Sequence, residues 1–231
     1  MKEKIFGRLL PAVLAAFFIL LSTPIHGKYA ALSPHGLPDA SSGRYKFDLE
    51  LKKGKFLVAS TNIKDPRFAE TVIFLVDHGP QGTMGLIVNR PTDIRLSKMF
   101  PDINGLEKVP DFIYIGGPVE RNRLFMLIQT SGKPEDAHPV FDNIYISTSS
   151  ALLERAVNDP DAGERFRIYS GYAGWAPGQL EHEITRGDWH IMNGDAEIIF
   201  NNAPLELWQK IMNTRMHLQV YMPCLPAGHI V

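Results

Sequence analysis

The residue types best suited to chemistry are concentrated in residues 171–189, which read GYAGWAPGQLEHEITRGDW. This stretch holds two of the three Trp residues and four of the 19 Gly residues, together with Gln179, Glu181 and Glu183. Carboxylates can act as general acids or bases, and an indole such as that of Trp175 can stack on a flat ligand. A Trp is more often a core residue than a ligand platform, so a packing role for Trp175 is the alternative.

The spacing of the two Glu residues argues against a catalytic carboxylate pair. On a helix, residues two apart point about 200° away from each other, so Glu181 and Glu183 cannot both face one substrate. One of them could still act together with a cation such as Arg90. An enzyme that uses Glu181 or Glu183 with Arg90 therefore remains an alternative.

Other reaction templates are missing from the sequence. The glycine spacing that begins at Gly171 is G-x-x-G-x-x-x-G, which lacks the G-x-G start of a dinucleotide-binding loop. His182 and His190 do not form the H-E-x-x-H zinc motif, and there is no G-x-S-x-G elbow. The single cysteine, Cys224, has no adjacent base. We therefore predict no cofactor and no metal, and we assign no catalytic residue.

Two further motifs, Asn89-Arg90-Pro91 and Gly116-Gly117-Pro118, each follow a predicted strand. Gly and Pro at such positions are typical of turns that leave a sheet abruptly. The alternative is that both strand ends lie on one rim, where the Arg90 guanidinium offers a fork for an anion. Together with the aromatic stretch, these motifs give the following candidate binding residues: Asn89, Arg90, Gly116, Gly117, Trp175, Gln179 and Glu181.

The charge balance limits the class of partner. The formal net charge is -1, from 24 basic and 25 acidic residues, so there is no overall attraction to nucleic acid. The sequence also shows no helix-turn-helix or zinc-finger motif. We expect an unknown small ligand or a protein partner, with nucleic acid not favoured.

The N-terminal region has the pattern of an export signal. Residues 1–8 carry three basic side chains, residues 9–21 are almost wholly apolar (LLPAVLAAFFILL), and small and polar residues follow up to Gly27. The apolar run is short for a membrane span, which needs about 20 residues. We predict a signal peptide or an N-terminal membrane anchor over residues 1–27. The body would then be exported, either periplasmic or attached to the inner membrane; a cytoplasmic location is the alternative.

The remainder of the chain is predicted to form one domain. Residues 28–45 are rich in Ser, Pro and Gly and are typical of a linker. Residues 46–216 form the domain and residues 217–231 a C-terminal tail. About eight short strands alternate with three or four helices, which predicts an α+β fold with a mixed or antiparallel sheet.

Three local predictions follow from turn and helix signals. Pro177 should be the first residue of a helix that ends at Gly187. Asn193-Gly194 should form a hairpin turn whose second strand covers residues 197–200. Residues 131–141, with two prolines and a glycine, should form an exposed loop.

Four motifs, taken together, carry a resemblance to a known family. They are DPRFAETV (65–72), MGLIVNRP (84–91), IGGPV (115–119) and GYAGWAPGQLEHEI (171–184). In this order they resemble the AlgH/YqgE family of bacterial proteins, over roughly residues 55–212. The resemblance implies a single α+β domain whose bifurcated sheet forms a partial barrel flanked by helices.

The same resemblance implies no established enzyme activity and no catalytic residues. Some members have been linked to the regulation of alginate production, and the family is sometimes described as transcriptional regulators. Members generally lack a signal-like N-terminus and are expected in the cytoplasm, and this chain departs from that pattern. We therefore expect a non-enzymatic binding or regulatory domain, exported or membrane-tethered, with a pocket near Trp175 and Arg90. A transcriptional regulator acting in the cytoplasm is the alternative.

Overall fold

A computed structural model describes residues 45–48, 50–109 and 112–220. Residues 1–27, the predicted signal or anchor, lie outside the described residues. The strands are β1 (Phe56–Ala59), β2 (Val72–Gly79), β3 (Gly82–Ile87), β4 (Pro91–Arg95), β5 (Phe112–Ile115), β6 (Val119–Gln129), β7 (Ala137–Phe141), β8 (Ile144–Ser147), β9 (Arg165–Trp175) and β10 (Trp189–Met192). The α-helices are α1 (Leu96–Met99), α2 (Ser150–Asn158), α3 (Gln179–Thr185), α4 (Ala196–Ile199) and α5 (Pro204–Val220).

The strands form a single 10-stranded sheet that divides at β9. The main path runs β10-β1-β2-β3-β9-β6-β8-β7, while β5 pairs with both β4 and β9. The first half of β9 lies between β6 and β5, and its last residues pair with β3, with Thr83 opposite Trp175. The β5–β9 pairing is parallel and the others are antiparallel. The predicted α+β class with a bifurcated, mixed sheet that curls into a partial barrel is therefore confirmed.

Gly171 occupies the point at which the sheet divides. Its backbone has φ +69, and a Cβ atom there would lie 2.6 Å from the carbonyl oxygen of Gly117. Only glycine combines this left-handed conformation with so close a backbone approach. The branching of the sheet thus explains why the first residue of the GYAGW sequence is a glycine. Residues 171–175 continue β9 as a strand.

Both faces of the central strands are buried. On β9, Ile168 packs in a cluster with the α2 residue Leu153, while the next residue, Tyr169, belongs to the cluster that contains Phe56 and Trp208. Neighbouring strand residues point to opposite faces, so the apolar run of β9 supplies both clusters. The C-terminal helix α5 is fixed to β1 by a hydrogen bond from Trp208 Nε1 to the carbonyl of Ala59 at 2.7 Å.

Helix α3 begins later than predicted but ends as expected. Gly178 is its N-cap residue, with φ +75, and the helix starts at Gln179, so Pro177 lies two residues before the first turn. Gly187, with φ +85, follows the C-cap residue Arg186, and its N–H donates to the carbonyl of Ile184 at 2.9 Å. This is the position at which glycine commonly terminates a helix.

Two of the local predictions are wrong. Residues 197–200 are not a strand, because Asp195 caps helix α4: its carboxylate accepts a hydrogen bond from Glu197 N at 2.8 Å. Residues 131–141 are not entirely a loop, because β7 covers Ala137–Phe141 and pairs with β8. Strand β7 is the last strand of the main path, where Pro139 can be accommodated because an edge residue does not have to donate to a neighbouring strand.

Within the described ranges, no helix is both long enough and apolar enough to cross a bilayer.

Candidate functional site

Arg90 holds a loop that contains the first family motif. Residues 65–70 (DPRFAE), here called the motif loop, connect β1 to β2. Arg90 Nη1 donates to the carbonyl of Arg67 at 2.7 Å, and Nη2 donates to the carbonyls of Pro66 and Ala69, both at 2.9 Å. A guanidinium has several fixed donors, which allows one side chain to bind three carbonyl groups at once. The fork that could have bound an anion therefore binds the backbone.

Asn89 fixes the end of the motif loop. Its side chain is buried, its Nδ2 donates to the carbonyl of Glu70 at 2.9 Å, and its Oδ1 accepts from Val72 N at 2.8 Å. Glu70 has φ +58, a left-handed conformation that costs a non-glycine residue about 1 kcal/mol or more. The buried amide of Asn89 holds the backbone in this conformation.

The carboxylates that interact with the Arg90 guanidinium belong to the motif loop and not to α3. Burial lowers the pKa of the Arg90 guanidinium, and the carboxylates of Asp65 and Glu70 counteract that shift. Among the described residues, Arg90 forms no hydrogen bond or ion pair with Glu181 or Glu183. The structure therefore does not pair Arg90 with the carboxylates that the enzyme alternative needs.

Glu183 binds the two Trp residues of the aromatic stretch. Its Oε2 atom accepts hydrogen bonds from Trp175 Nε1 at 2.9 Å and Trp189 Nε1 at 2.8 Å. Both Trp side chains are buried, and their rings meet edge to face at 6.0 Å and 83°. The other oxygen, Oε1, accepts from Gln179 Nε2 at 3.0 Å. We call Trp175, Trp189 and Glu183 the indole cluster.

The indole cluster and the motif loop belong to one packed unit. Phe68 of the motif loop lies edge to face against Trp189, with 6.1 Å between ring centroids. On the other side of the cluster, Gln179 Oε1 accepts a hydrogen bond from Ala176 N at 3.1 Å, which ties the start of α3 to the end of β9. The motif loop and the aromatic stretch, which are distant in the chain, therefore meet. Of the candidate binding residues, Trp175 and Gln179 both donate to the carboxylate of Glu183.

Gly116 and Gly117 lie where two backbones cross. The carbonyl of Gly116 accepts from Ile87 N at 2.9 Å, and its N–H donates to the carbonyl of Ser170 at 2.9 Å. A Cβ atom on Gly117 would lie 2.0 Å from the carbonyl carbon of Tyr172. The ends of β3 and β5 therefore run side by side, as the rim prediction requires, but Gly116 and Gly117 are needed there for close backbone packing.

Glu181 lies on the exposed side of α3. Its Oε1 atom is 3.9 Å from His78 Nε2, and its side chain is 51% exposed. Glu183, two residues along, points into the indole cluster instead. The prediction that these two carboxylates diverge is confirmed.

A recess lies beside the motif loop, with a volume of about 340 Å³. We call it the motif recess. Its walls come from the β1–β2 connection and from α5, and its lining residues are Ser60, Thr61, Ile63, Lys64, Ala69, Glu70 and Trp208. Sequence reasoning missed these residues as a group because Trp208 is far from the others in the chain. The local signal available in the sequence was two opposite charges close together in the chain, Lys64 just before the motif loop and Glu70 at its end.

A second recess, of about 400 Å³, lies between α2 and the loop before β7. Two of its charged lining residues are already engaged. Arg155 binds both carboxylate oxygens of Glu164, at 2.9 and 3.0 Å, and Asp161 accepts from Thr130 Oγ1 at 2.8 Å. This recess contains none of the candidate binding residues that the sequence suggested.

In the part of the chain that the structure describes, no group of three or more His, Cys, Asp or Glu side chains is arranged to hold a metal ion.

Comparison with known proteins gives consistent results. A family model described as AlgH-like matches residues 56–219. A UPF0301 protein of Ralstonia pickettii is 38% identical over 179 residues, which cover 76% of this chain and 93% of the relative. The solution structure of the AlgH protein from Pseudomonas aeruginosa has a TM-score of 0.59 and 30% identity, covering 79% of this chain and 99% of that one.

The crystal structure of protein DIP2367 from Corynebacterium diphtheriae is similar in fold, with a TM-score of 0.64 and 24% identity over 76% of this chain and 93% of that one. The order of the four motifs, the divided sheet and the family match all agree. The chain belongs to the AlgH-like family.

Proposed function

We propose that this protein is a non-enzymatic binding domain whose ligand or partner docks at the motif recess. The observation that carries the proposal is that the polar motif residues are already engaged in structural hydrogen bonds. Arg90 and Asn89 hold the motif loop, and Glu183 holds two indoles. A general acid or base has to exchange protons with a substrate, which these engaged groups are poorly placed to do.

The motif recess has the features expected of a binding site. Its volume of about 340 Å³ is at the lower end of the range for small-molecule sites. One wall, the motif loop, is held rigid by Arg90, Asn89 and the contact of Phe68 with Trp189. A rigid wall favours binding because little conformational entropy is lost when a ligand docks.

A screen by NMR spectroscopy tests this proposal. The full chain, as purified from cells, is titrated with mixtures of small metabolites and short peptides. We expect ligands to shift the backbone signals of residues around the motif recess and to leave the mixture chemically unchanged. A ligand that maps elsewhere on the domain, or a compound that is converted to a new species, would refute the proposal.

A matched pair of variants sharpens the screen. Thr61→Trp places a large side chain at the recess, and Thr185→Trp places the same side chain on the exposed surface of α3. We expect Thr61→Trp to abolish binding and Thr185→Trp to retain it. Equal binding by the two variants would contradict a site in the motif recess.

We also propose that the domain acts outside the cytoplasm, either free or attached to a membrane through its N-terminus. Support comes from the basic and apolar pattern of residues 1–27 and from the family match, which begins at residue 56 and leaves that pattern outside the matched domain. A compartment reporter fused after Val231 tests this. Reporter activity in the periplasm is expected; activity in the cytoplasm would contradict export and would favour the transcriptional-regulator alternative.

A further inference from the structure

We propose that the motif recess binds a free α-amino acid with an apolar side chain. This inference rests on the proposed binding function and specifies the ligand class. It comes from two opposite charges on the recess, an apolar wall and a buried hydroxyl, all contributed by residues outside the candidate set that the motifs suggested.

The first step concerns the two charges. Lys64 and Glu70 both line the recess and both are exposed. Lys64 Nζ donates to the carbonyl of Thr61 at 2.8 Å. The Glu70 carboxylate makes no hydrogen bond or ion pair with any described residue, and the cation whose pKa it influences is Arg90. Lys64 and Glu70 do not pair with each other within 4.0 Å. The recess therefore has an ammonium and a carboxylate on its lining that do not form an ion pair with each other.

The second step concerns what holds the two charged residues. The backbone of Glu70 is fixed at φ +58 by the Asn89 amide, and the Lys64 ammonium donates to the carbonyl of Thr61. A guest that carries both a carboxylate and an ammonium group can form a charge-assisted hydrogen bond with each of them. Because the backbone of the motif loop is fixed, binding requires little rearrangement of that backbone, which favours affinity.

The third step concerns the rest of the lining. Ile63, Ala69 and Trp208 form the apolar part of the wall. The indole N–H of Trp208 is already donated to the carbonyl of Ala59, so the part of its ring that reaches the recess is apolar. The buried Ser60 Oγ accepts from Asn62 N at 3.3 Å and donates to no described residue, so its hydrogen is available to a carboxylate.

The volume sets the size of the guest. At about 340 Å³, the recess is near the lower end of the range for ligand sites, which suits one amino acid better than a large cofactor. An apolar side chain on that amino acid would lie against Ile63, Ala69 and Trp208 and be removed from water.

The test uses L-leucine and two derivatives, each of which lacks one charge. N-acetyl-L-leucine has no ammonium group, and L-leucinamide has no carboxylate. The full chain is titrated with each compound by calorimetry and NMR. We expect leucine to shift signals around the motif recess and both derivatives to bind at least about tenfold more weakly, since one charge-assisted bond is lost in each case.

Variants assign each charge to its partner. Glu70→Gln should weaken leucine binding about tenfold or more and leave N-acetyl-L-leucine binding unchanged. Lys64→Gln should weaken leucine binding similarly and leave L-leucinamide binding unchanged. Lys98→Gln, an exposed site on α1, is the matched control and should bind like the wild type. Both recess positions are exposed, and thermal unfolding checks that each variant is folded.

The outcomes separate this inference from the proposed function. If other small molecules shift the recess signals but leucine does not, or if the derivatives bind as well as leucine, the amino-acid inference is overturned and the binding domain stands. If no compound binds at the recess, both are overturned. Charge-dependent leucine binding that is lost in the two recess variants supports both.

Discussion

Replacing Glu183 with alanine tests whether the indole cluster holds the fold together. In the native protein, one carboxylate oxygen accepts from both Trp175 Nε1 and Trp189 Nε1, at 2.9 and 2.8 Å. Both indoles are buried, with relative exposures of 4%. Glu183→Ala removes the acceptor and leaves two buried N–H donors without a partner inside the protein.

The expected cost follows from the number of donors left unpaired. Each buried donor without a partner costs about 1–3 kcal/mol, so the two indoles together should lower the free energy of unfolding by about 2–6 kcal/mol. For a domain of this size, a loss of about 3 kcal/mol lowers Tm by about 6–12 °C. Glu183→Gln keeps a carbonyl oxygen that can accept from the indoles, so its cost should be lower, about 1 kcal/mol.

Urea unfolding followed by Trp fluorescence and near-UV circular dichroism measures the loss. Glu181→Ala is the matched control, because it removes the same charge from the same helix at an exposed side chain. It should change the free energy of unfolding by less than about 1 kcal/mol. If Glu183→Ala is no more destabilised than Glu181→Ala, the shared carboxylate is not a stabilising feature and the reasoning is refuted.

Three other perturbations have definite expected outcomes. Arg90→Lys should remove hydrogen bonds to the motif loop and lower the free energy of unfolding by about 1–3 kcal/mol. Amide hydrogen exchange in the motif loop should become faster, and unchanged exchange would contradict the role of Arg90 in holding that loop. Burial, with a smaller effect of Arg215, lowers the pKa of His190 to about 4, so between pH 6.5 and 4 the unfolded chain binds more protons than the folded one. Because the His190 side chain is only partly buried, stability should fall on acidification by about 1–2 kcal/mol, and the fall should be smaller in His190→Gln. Urea unfolding at several pH values measures this, and equal pH dependence in the two proteins would exclude the role of His190. Gly117→Ala would place a Cβ 2.0 Å from the β9 backbone and should prevent folding. Gly79→Ala is the control, because its Cβ would meet nothing within 4 Å, and it should change stability by less than about 0.5 kcal/mol. Soluble yield and Tm measure both effects, and a folded Gly117→Ala protein would contradict the close backbone packing.

Local patterns failed where a single cap or an edge position decided the outcome. Residues 197–200 are apolar enough for a strand, but the Asp195 carboxylate accepts a hydrogen bond from the backbone N–H of Glu197 and so caps a helix that starts at Ala196. Residues 137–141 contain Pro139 and resemble a loop, but at the end of the sheet a strand tolerates proline. In both cases, the competing choices differ by a few hydrogen bonds that the local pattern does not specify.

For the candidate residues, the sequence shows which side chains are unusual but not which groups they contact. Trp175 and Gln179 both bind Glu183, and Glu181 diverges from Glu183 as helix geometry requires. An anion fork was one alternative for Arg90, but its donors bind three carbonyl groups of the motif loop. The choice between a ligand and a carbonyl depends on where a loop about 20 residues away folds back, which spacing along the chain does not determine.

The sequence by itself determined the family, the α+β class and most of the strands, because motif order and hydrophobic periodicity are local properties of the chain. Tertiary structure decided which residues meet. Branching of the sheet at Gly171 lets β9 pair with β3, β5 and β6, and docking of α5 brings Trp208 to Ala59, 149 residues away, beside the motif loop. The motif recess exists only after α5 docks, since Trp208 is part of its lining. The shared carboxylate of Glu183 joins residues that are close in the chain but lie on three separate elements, β9, α3 and β10, so it depends on how those elements pack.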